Sequence, residues 1–204
     1  MPSASRGPAT TSVVRDADWD GEDLSGQEHV AVAFVDVDFT DATGTGVVFD
    51  GCSFVNCRLG GVRFSDSSLS NCLVSDTSLF DAEFRGCRLV GTTFEECRLD
   101  SLRVVGGDWS FGALRGADLR KTHFEDVRMR ELDLTDARLD EASLRNCDLS
   151  GGQLNRTSLR RADLRATELP AFEPAESSLR GAIVDPHQAM RIAELLGLDV
   201  RPLD

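Results

Sequence analysis

Large apolar side chains recur at every fifth position through most of the chain. We number each five-residue unit from this residue, position i, and a small residue lies two places before it, at i−2. The register runs from Phe34 to Leu169 without an insertion or deletion, and only Gly44 lacks a sizeable apolar side chain at position i. The unit is clearest in residues 82–99, where position i is occupied by Phe84, Leu89, Phe94 and Leu99.

A period of five fits neither an amphipathic helix, with its period of 3.6, nor a strand, with its period of 2. It fits a chain that turns a corner once per unit and directs positions i and i−2 inward. Four units then form one square coil of about twenty residues, and each coil buries its apolar side chains only by stacking on its neighbours. The sequence therefore predicts an all-β solenoid without long projecting loops.

The pattern also divides the chain into three parts. Residues 1–15 are small and polar, so we expect a disordered N-terminal tail. Residues 16–183 form the predicted β-helix, with an irregular first coil because His29 occupies a position i. The repeat weakens through Pro170 and Pro174 and resumes at Leu179.

Residues 184–204 are predicted to contain a C-terminal capping helix and tail. Asp185 and Pro186 suit the N-cap and first helical position, His187–Leu196 follow, and Gly197 suits the C-cap. The apolar stripe expected to cover the last coil consists of Ala189, Ile192, Ala193 and Leu196. Because further apolar residues fall beside that stripe, we also expect the helix to pair with a second copy. The predicted dimer interface is Ile192, Leu195, Leu196 and Leu198.

Composition narrows the function. The formal net charge is −13 and the sequence pI is about 4.6, which argues against direct nucleic-acid binding, since that needs a basic surface. A protein that itself binds a polyanion would be attracted to this chain. We find no apolar run of membrane-spanning length and no secretory signal, so we expect a cytoplasmic protein.

The six cysteines do not indicate a metal site or a disulfide framework. All of them fall at i−2, where most other units have Ala, Val, Thr, Ser or Gly, so we interpret them as small buried residues. A disulfide between Cys52 and Cys72, twenty residues apart on adjacent coils, stays an alternative. The three histidines are scattered and the carboxylates lie on outer walls, so we predict no enzyme activity and no cofactor.

Folding the repeats at a period of twenty sorts the outward side chains onto four faces. We number the faces from the units on Phe34, Phe39, Gly44 and Phe49. Face 1 has a charge balance of −4, faces 2 and 3 are neutral, and face 4 is −2. The carboxylates of face 1 are Asp36, Asp76, Glu95, Glu96, Asp133 and Asp136.

Three units match the A(D/N)LXX consensus or come close to it: Ala117–Lys121, Ala137–Glu141 and Ala162–Ala166. On these units and their single register, the chain resembles the pentapeptide-repeat family over roughly residues 32–169. The resemblance implies a right-handed quadrilateral β-helix. Seven coils at ~4.8 Å give a rod ~34 Å long.

Within that family the chain resembles the MfpA and Qnr group, whose members resemble B-form DNA in size, shape and charge. Those proteins bind DNA gyrase, and in some cases topoisomerase IV, where the duplex would lie, and many confer quinolone resistance. They share a β-helix followed by a C-terminal helix that joins two rods end to end. The absence of loops that shift the repeat makes this chain more similar to MfpA than to the loop-bearing Qnr proteins.

We therefore predict a homodimeric DNA mimic that inhibits gyrase or topoisomerase IV, or protects it from gyrase-poisoning antibiotics. The predicted partner-binding residues on the acidic face are Asp76, Glu95, Glu96, Asp133 and Asp136. Two alternatives stay open. One is a non-enzymatic scaffold for another protein partner, and the other is a self-resistance factor of an antibiotic pathway.

Overall fold

The computed structural model describes residues 7–172 and 177–201, and over them the chain is a right-handed quadrilateral β-helix with a C-terminal helix, α1. Every strand pairs in parallel with strands twenty residues before or after it, which confirms four units per coil. The strands of the described residues, in chain order, are β1 (Ser12–Arg15), β2 (Glu28–Val30), β3 (Val32–Val35), β4 (Thr43–Thr45), β5 (Val48–Asp50), β6 (Ser53–Val55), β7 (Arg63–Ser65), β8 (Ser68–Ser70), β9 (Leu73–Ser75), β10 (Glu83–Arg85), β11 (Thr93–Glu95), β12 (Arg103–Val105), β13 (His123–Glu125) and β14 (Ser143–Arg145).

Three of the four faces carry sheets. Face 1 holds the sheet β1-β3-β6-β9-β11, face 3 holds β4-β7-β10-β12-β13-β14, and face 4 holds β2-β5-β8. Face 2 is joined by single bridges, for example between Asp38 and Arg58. Toward the C-terminus single bridges continue the pairing, and the last of those between described residues joins Asp163 to Ile183 on face 3.

The corners explain why five residues close one side of the square. The residue at i+2 has a positive φ in almost every unit, from Asp16 at 50° to Ala166 at 61°. Gly, Asn and Asp adopt this left-handed conformation at the lowest energy, and most corners carry one of them. Eight of the twenty-three aspartates lie at these corners, so backbone geometry explains them before any function is considered.

The core is a continuous stack of the side chains at positions i and i−2. Phe34 stacks on Phe54 one coil later with ring centroids 5.0 Å apart, and Phe94 stacks on Trp109 at 5.8 Å. These rings, like nearly every other residue at position i, are at most a few per cent exposed. Because each coil covers the apolar side chains of the next, the core extends along the whole rod.

The cysteines behave as the sequence predicts. All six are free, and five of them are buried. Cys57 Sγ donates to the Phe34 carbonyl at 3.5 Å, and Thr77 Oγ1 donates to the Phe54 carbonyl at the same distance one coil later. The thiol thus takes the place of a threonine hydroxyl in a small inward site.

The regular structure begins earlier than expected. Strand β1 lies within the segment predicted to be a disordered tail, and it pairs with β3 along the edge of face 1. His29 does not disrupt its coil, since its ring stacks on Phe49 with centroids 5.1 Å apart. An imidazole fits at position i because it is flat and stacks on the neighbouring aromatic ring. Residues 1–6 and Pro174 lie outside the described residues.

Helix α1 spans Pro186–Leu195, with Asp185 as its N-cap. Asp185 accepts from Gln188 N at 2.9 Å, and Gln188 Oε1 accepts from Asp185 N at 2.9 Å, so the two residues form a capping box. The buried Gln188 amide also donates to the carbonyls of Leu164 and Thr167 at 2.6 and 2.7 Å. These bonds fix the rotation of the helix on the last coil.

That rotation makes the predicted capping stripe wrong in part. Ile192 packs against the core, but Ala189 and Leu196 are exposed. The polar Gln188 contacts the last coil instead, because the open end of the solenoid presents unpaired carbonyls. A capping face chosen by hydrophobicity alone misses such a contact.

Candidate protein-binding surface

Charge is distributed very unevenly along the rod. Residues 12–100 contain seventeen carboxylates and six arginines, a formal charge of −11. Residues 101–171 contain twelve carboxylates and twelve basic residues, a formal charge of zero. The coils therefore form an acidic N-terminal half and a neutral C-terminal half of similar length.

The most regular acidic feature is the corner between faces 1 and 2 in the N-terminal half. We call it the acidic ridge, and it consists of Asp16, Asp36, Asp76 and Glu96. Asn56 completes the column and donates to Asp36 Oδ1 at 2.6 Å. All five side chains are exposed, and successive positions are ~4.8 Å apart along the axis. Glu96 is informative because glutamate gains nothing from the left-handed backbone that suits Asp and Asn.

A groove of about 930 Å³ runs beside the ridge on face 2. Its far wall includes Asp38, Arg58 and Arg98. The Arg58 guanidinium donates to Asp38 at 2.6 Å and, against the opposing effect of burial, lowers the pKa of Asp38 to about 2. The ridge and the groove together form a surface about four coils long in which carboxylates outnumber arginines.

The five predicted partner-binding carboxylates are not equivalent. Asp76 and Glu96 lie on the acidic ridge, and Glu95 is half-buried on the neighbouring strand β11. Asp133 and Asp136 lie two coils further on, in the neutral half. The period placed all five on face 1, but it could not show which of them have basic partners.

Asp133 is a structural residue, because its side chain is only 7% exposed. It accepts from Thr135 N at 2.9 Å and pairs with Arg115 Nε at 2.5 Å. Burial raises the pKa of Asp133, but the hydrogen bonds from Thr135 and Arg115 outweigh it and the pKa is lowered. Asp136 is exposed but paired, since Arg156 donates to both of its oxygens at 2.6 and 2.7 Å and lowers its pKa.

The same pairing neutralises the rest of the C-terminal half. Arginines bind carboxylates of their own or a neighbouring coil, as in the pairs Arg120–Asp118, Arg130–Asp148, Arg161–Glu141 and Arg165–Asp163. Among the described coils, those of the N-terminal half therefore offer the acidic surface that a polyanion-binding protein would contact.

The N-terminal segment limits how much of face 1 is open. Thr11 N donates to the Ala31 carbonyl at 2.7 Å, and Gly7 lies against the side chain of Leu73. Residues 7–11 therefore run down the outside of face 1 from β1 toward β9. The acidic ridge and face 2 are the open surfaces next to it.

The predicted dimer residues fall into two groups. Leu195, Leu196 and Leu198 are 38%, 60% and 61% exposed, whereas Ile192 is half-buried against the core. A cavity of about 450 Å³ between α1 and the last coil is lined by Ile192, Leu195 and Phe172 among others. The exposed leucines form an apolar end to the rod that no other described residue covers.

Two surface features escaped the sequence analysis. Phe80 and Phe111 are 49% and 58% exposed, and both lie outside position i. Their signal in the sequence is a phenylalanine at i+1 or i+2, where most other units carry small or polar residues and none carries another aromatic residue. The described residues contain no cluster of three or more side chains able to hold a metal ion. Within residues 7–172 and 177–201, no helix is long and apolar enough to cross a membrane.

Comparison with solved structures gives the same fold. A trypsin-treated variant of QnrB1, a plasmid-mediated fluoroquinolone resistance protein, superposes with a TM-score of 0.74 at 20% identity, covering 93% of this chain and 99% of that one. A second trypsin-treated variant gives 0.72 at 20% identity over 94% and 99%. Full-length QnrB1 gives 0.55 at 18% identity over 93% and 99%. At this identity the likeness shows the fold alone.

Sequence comparison gives the family. No curated protein matches the chain. The family profile "Pentapeptide repeats (8 copies)" matches residues 57–95, 113–146 and 142–171, and the five-residue register and twenty-residue pairing extend through and beyond these segments. The chain belongs to the pentapeptide-repeat family.

Proposed function

We propose that this protein mimics duplex DNA and binds a type II DNA topoisomerase, either DNA gyrase or topoisomerase IV, through its acidic N-terminal half. The observation that carries the proposal is the axial charge density of that half. Residues 12–100 fill ~21 Å of the rod at ~4.8 Å per coil. Their formal charge of −11 then corresponds to about one net negative charge per 2 Å, close to the value of about one per 1.7 Å for duplex DNA.

The mechanism is competitive and non-covalent. A DNA-binding saddle is lined with Lys and Arg side chains, which neutralise phosphates and release the counterions condensed on the duplex. The rod is already folded, so its backbone needs no further ordering when the carboxylates occupy that saddle. An occupied enzyme captures less DNA, which gives inhibition, and it also holds less of the DNA that a poison needs, which gives protection.

The C-terminal helix completes the proposal. Its exposed leucines support an end-to-end homodimer in which the two neutral halves meet and the two acidic halves point outward. Light scattering checks this arrangement. Leu196→Glu with Leu198→Glu should give a monomer, whereas Val30→Glu, at an exposed apolar position of the first coil, should leave a dimer. A monomeric wild-type chain would contradict the arrangement.

A second candidate is a scaffold that binds a different protein. The neutral C-terminal half favours it, because a duplex mimic has no need of coils without net charge. Both candidates place the protein in the cytoplasm and require no enzymatic activity.

A gyrase supercoiling assay tests the proposal against the scaffold. Asp76→Lys with Glu96→Lys reverses the end of the acidic ridge, and Lys121 shows that lysine is tolerated at a corner with φ of 61°. The matched control, Asp126→Lys with Glu131→Lys, changes two exposed corner residues of the neutral half. We expect the ridge variant to need about tenfold more protein for half-inhibition and the control to change it less than about twofold.

Equal inhibition by the two variants would refute the ridge as the binding surface. The absence of any effect of the wild-type chain, on gyrase and on topoisomerase IV, would favour the scaffold. The same assay with a gyrase poison added distinguishes inhibition of the enzyme from protection of the enzyme. Protection at doses below inhibition indicates a resistance function, including self-resistance.

A further inference from the structure

Nine of the eleven phenylalanines are in the core, and the two exceptions are on the outside of adjacent coils. Phe80 is at i+1 on face 2, and Phe111 is at i+2, the corner between faces 4 and 1. Neither side chain is needed to fill the rod, because Leu79 and Trp109 already occupy position i in the same units and are 1% exposed. Single exposed apolar side chains are common on protein surfaces, but aromatic rings are the ones that protein interfaces use most.

Phe111 also strains the backbone. Its φ is 62°, and it is the one aromatic residue with a positive φ in residues 7–172 and 177–201. The corner imposes this conformation on whichever residue occupies it, so a bulky phenylalanine there costs stability that Gly or Asn would not. The other residues of its corner column from the second coil onward are Gly51, Asn71, Gly91, Glu131 and Gly151.

The two rings lie on opposite sides of the acidic ridge. Phe80 is four residues after Asp76, across the width of face 2. Phe111 is at the opposite edge of face 1 from the ridge, one coil after Gly91, whose lack of a side chain leaves space beside the ring. Next to Phe80 is a hollow of about 260 Å³ that is also lined by Gly60, Arg58 and Arg98. An aromatic ring beside arginines is the composition that protein interfaces favour at their centre.

We propose that Phe80 and Phe111 are apolar anchors that flank the acidic ridge and insert into apolar pockets on the two walls of the partner's basic groove. This inference rests on the proposed function and adds a second component to the binding. The partner is a concave protein surface that carries Lys and Arg along its floor, because the ridge between the anchors is acidic. A duplex has no such side chains, so the anchors would let this protein stay bound at salt concentrations that displace DNA.

Salt dependence distinguishes the two components. Binding of fluorescently labelled protein to purified gyrase is measured between about 50 and 200 mM salt, a range in which contacts to a polyanion weaken strongly. Phe80→Ala and Phe111→Asn should each weaken binding about tenfold at every salt concentration, with the salt slope unchanged. The ridge variant Asp76→Lys with Glu96→Lys should instead reduce the slope. Val30→Ala, at another exposed apolar position, should change affinity less than about twofold.

Thermal stability separates anchoring from misfolding. Asn tolerates the left-handed conformation, so Phe111→Asn should unfold at a higher temperature than the wild-type chain while binding less tightly. A residue that only supports the fold would lose stability and affinity together.

The outcomes are distinguishable. If the ridge variant weakens binding and both phenylalanine variants bind as the wild-type chain does, the anchors are refuted and the proposed function stands. If the phenylalanine variants change the oligomeric state measured by light scattering, the rings bind a second copy and the inference is wrong. If the wild-type chain binds neither gyrase nor topoisomerase IV, both proposals fail.

Discussion

Asp133 provides a direct test of the division between structural and functional carboxylates. Face 1 of the repeat groups it with Asp76 and Glu96, but the structure buries it. In Asp133→Ala the N–H of the half-buried Thr135 loses its acceptor at 2.9 Å. A hydrogen bond to a charged group contributes about 1.5–3 kcal/mol.

Arg115 adds little to that figure. Its side chain is 70% exposed, so it recovers water when the carboxylate is removed, and pairs of this kind contribute at most about 1 kcal/mol. We therefore expect Asp133→Ala to lower the free energy of unfolding by about 2–3 kcal/mol. For a chain of this length that corresponds to a decrease in Tm of about 5–10 °C.

Urea unfolding followed by circular dichroism measures the change. The control is Asp136→Asn, which removes the charge of an exposed ion pair on the same coil, keeps a residue suited to the corner φ of 62°, and should leave the transition almost unchanged. Asp133→Ala should also inhibit gyrase as well as the wild-type chain does at temperatures where both are folded. An unfolding midpoint equal to that of the wild-type chain would show that Asp133 is not the buried acceptor described above.

The effect of Asp133 should depend on pH with a definite sign. Its pKa is lowered in the folded chain, so its contribution is present above the pKa of about 3.9 for an unfolded aspartate and is lost as the pH falls through the folded value. The stability difference between Asp133→Ala and the wild-type chain should be full at pH 7 and shrink below about pH 4.

Three further predictions concern the rod. Gly107→Ala should prevent normal folding, because φ is 89° at this position and the added Cβ would lie 2.0 Å from the Cys87 carbonyl oxygen. Gly116→Ala should lower the free energy of unfolding by only roughly 1–2 kcal/mol, because no other atom lies within 4 Å of the added carbon. Urea unfolding compares the two variants. In the native protein one thiol should react with an aromatic disulfide reagent, because Cys97 alone among the six cysteines is not fully buried. The reaction should be slow, because burial raises the pKa of Cys97 to about 11. Cys97→Ser should abolish it. The pKa of Asp38 is about 2 in the folded chain, so its stabilising contribution should fade between about pH 4 and pH 2, and Asp38→Asn should flatten the acid limb of the stability curve; an unaltered limb would contradict the ion pair.

The functional residues show where a one-dimensional pattern stops being sufficient. The period correctly placed Asp76, Glu96 and Asp133 on one face. It did not reveal that Asp133 accepts hydrogen bonds from Thr135 N and Arg115 Nε. Both contacts depend on the conformations of side chains, which the period does not specify. The difference in charge between the two halves can be counted from the sequence. The charge per ångström, which is the quantity compared with duplex DNA, also requires the distance between successive coils.

The sequence by itself determined the solenoid, its register, its inward cysteines and the position of the helix. A residue repeated every five positions can be buried only if the backbone turns at the same interval, so the local pattern leaves one arrangement. The tertiary structure alone decided that β1 joins the first sheet, that Gln188 rather than a leucine seats the helix, and which carboxylates form ion pairs with arginines. Those outcomes depend on which groups meet across coils twenty residues apart, and on which backbone carbonyls are left open at the end of the stack.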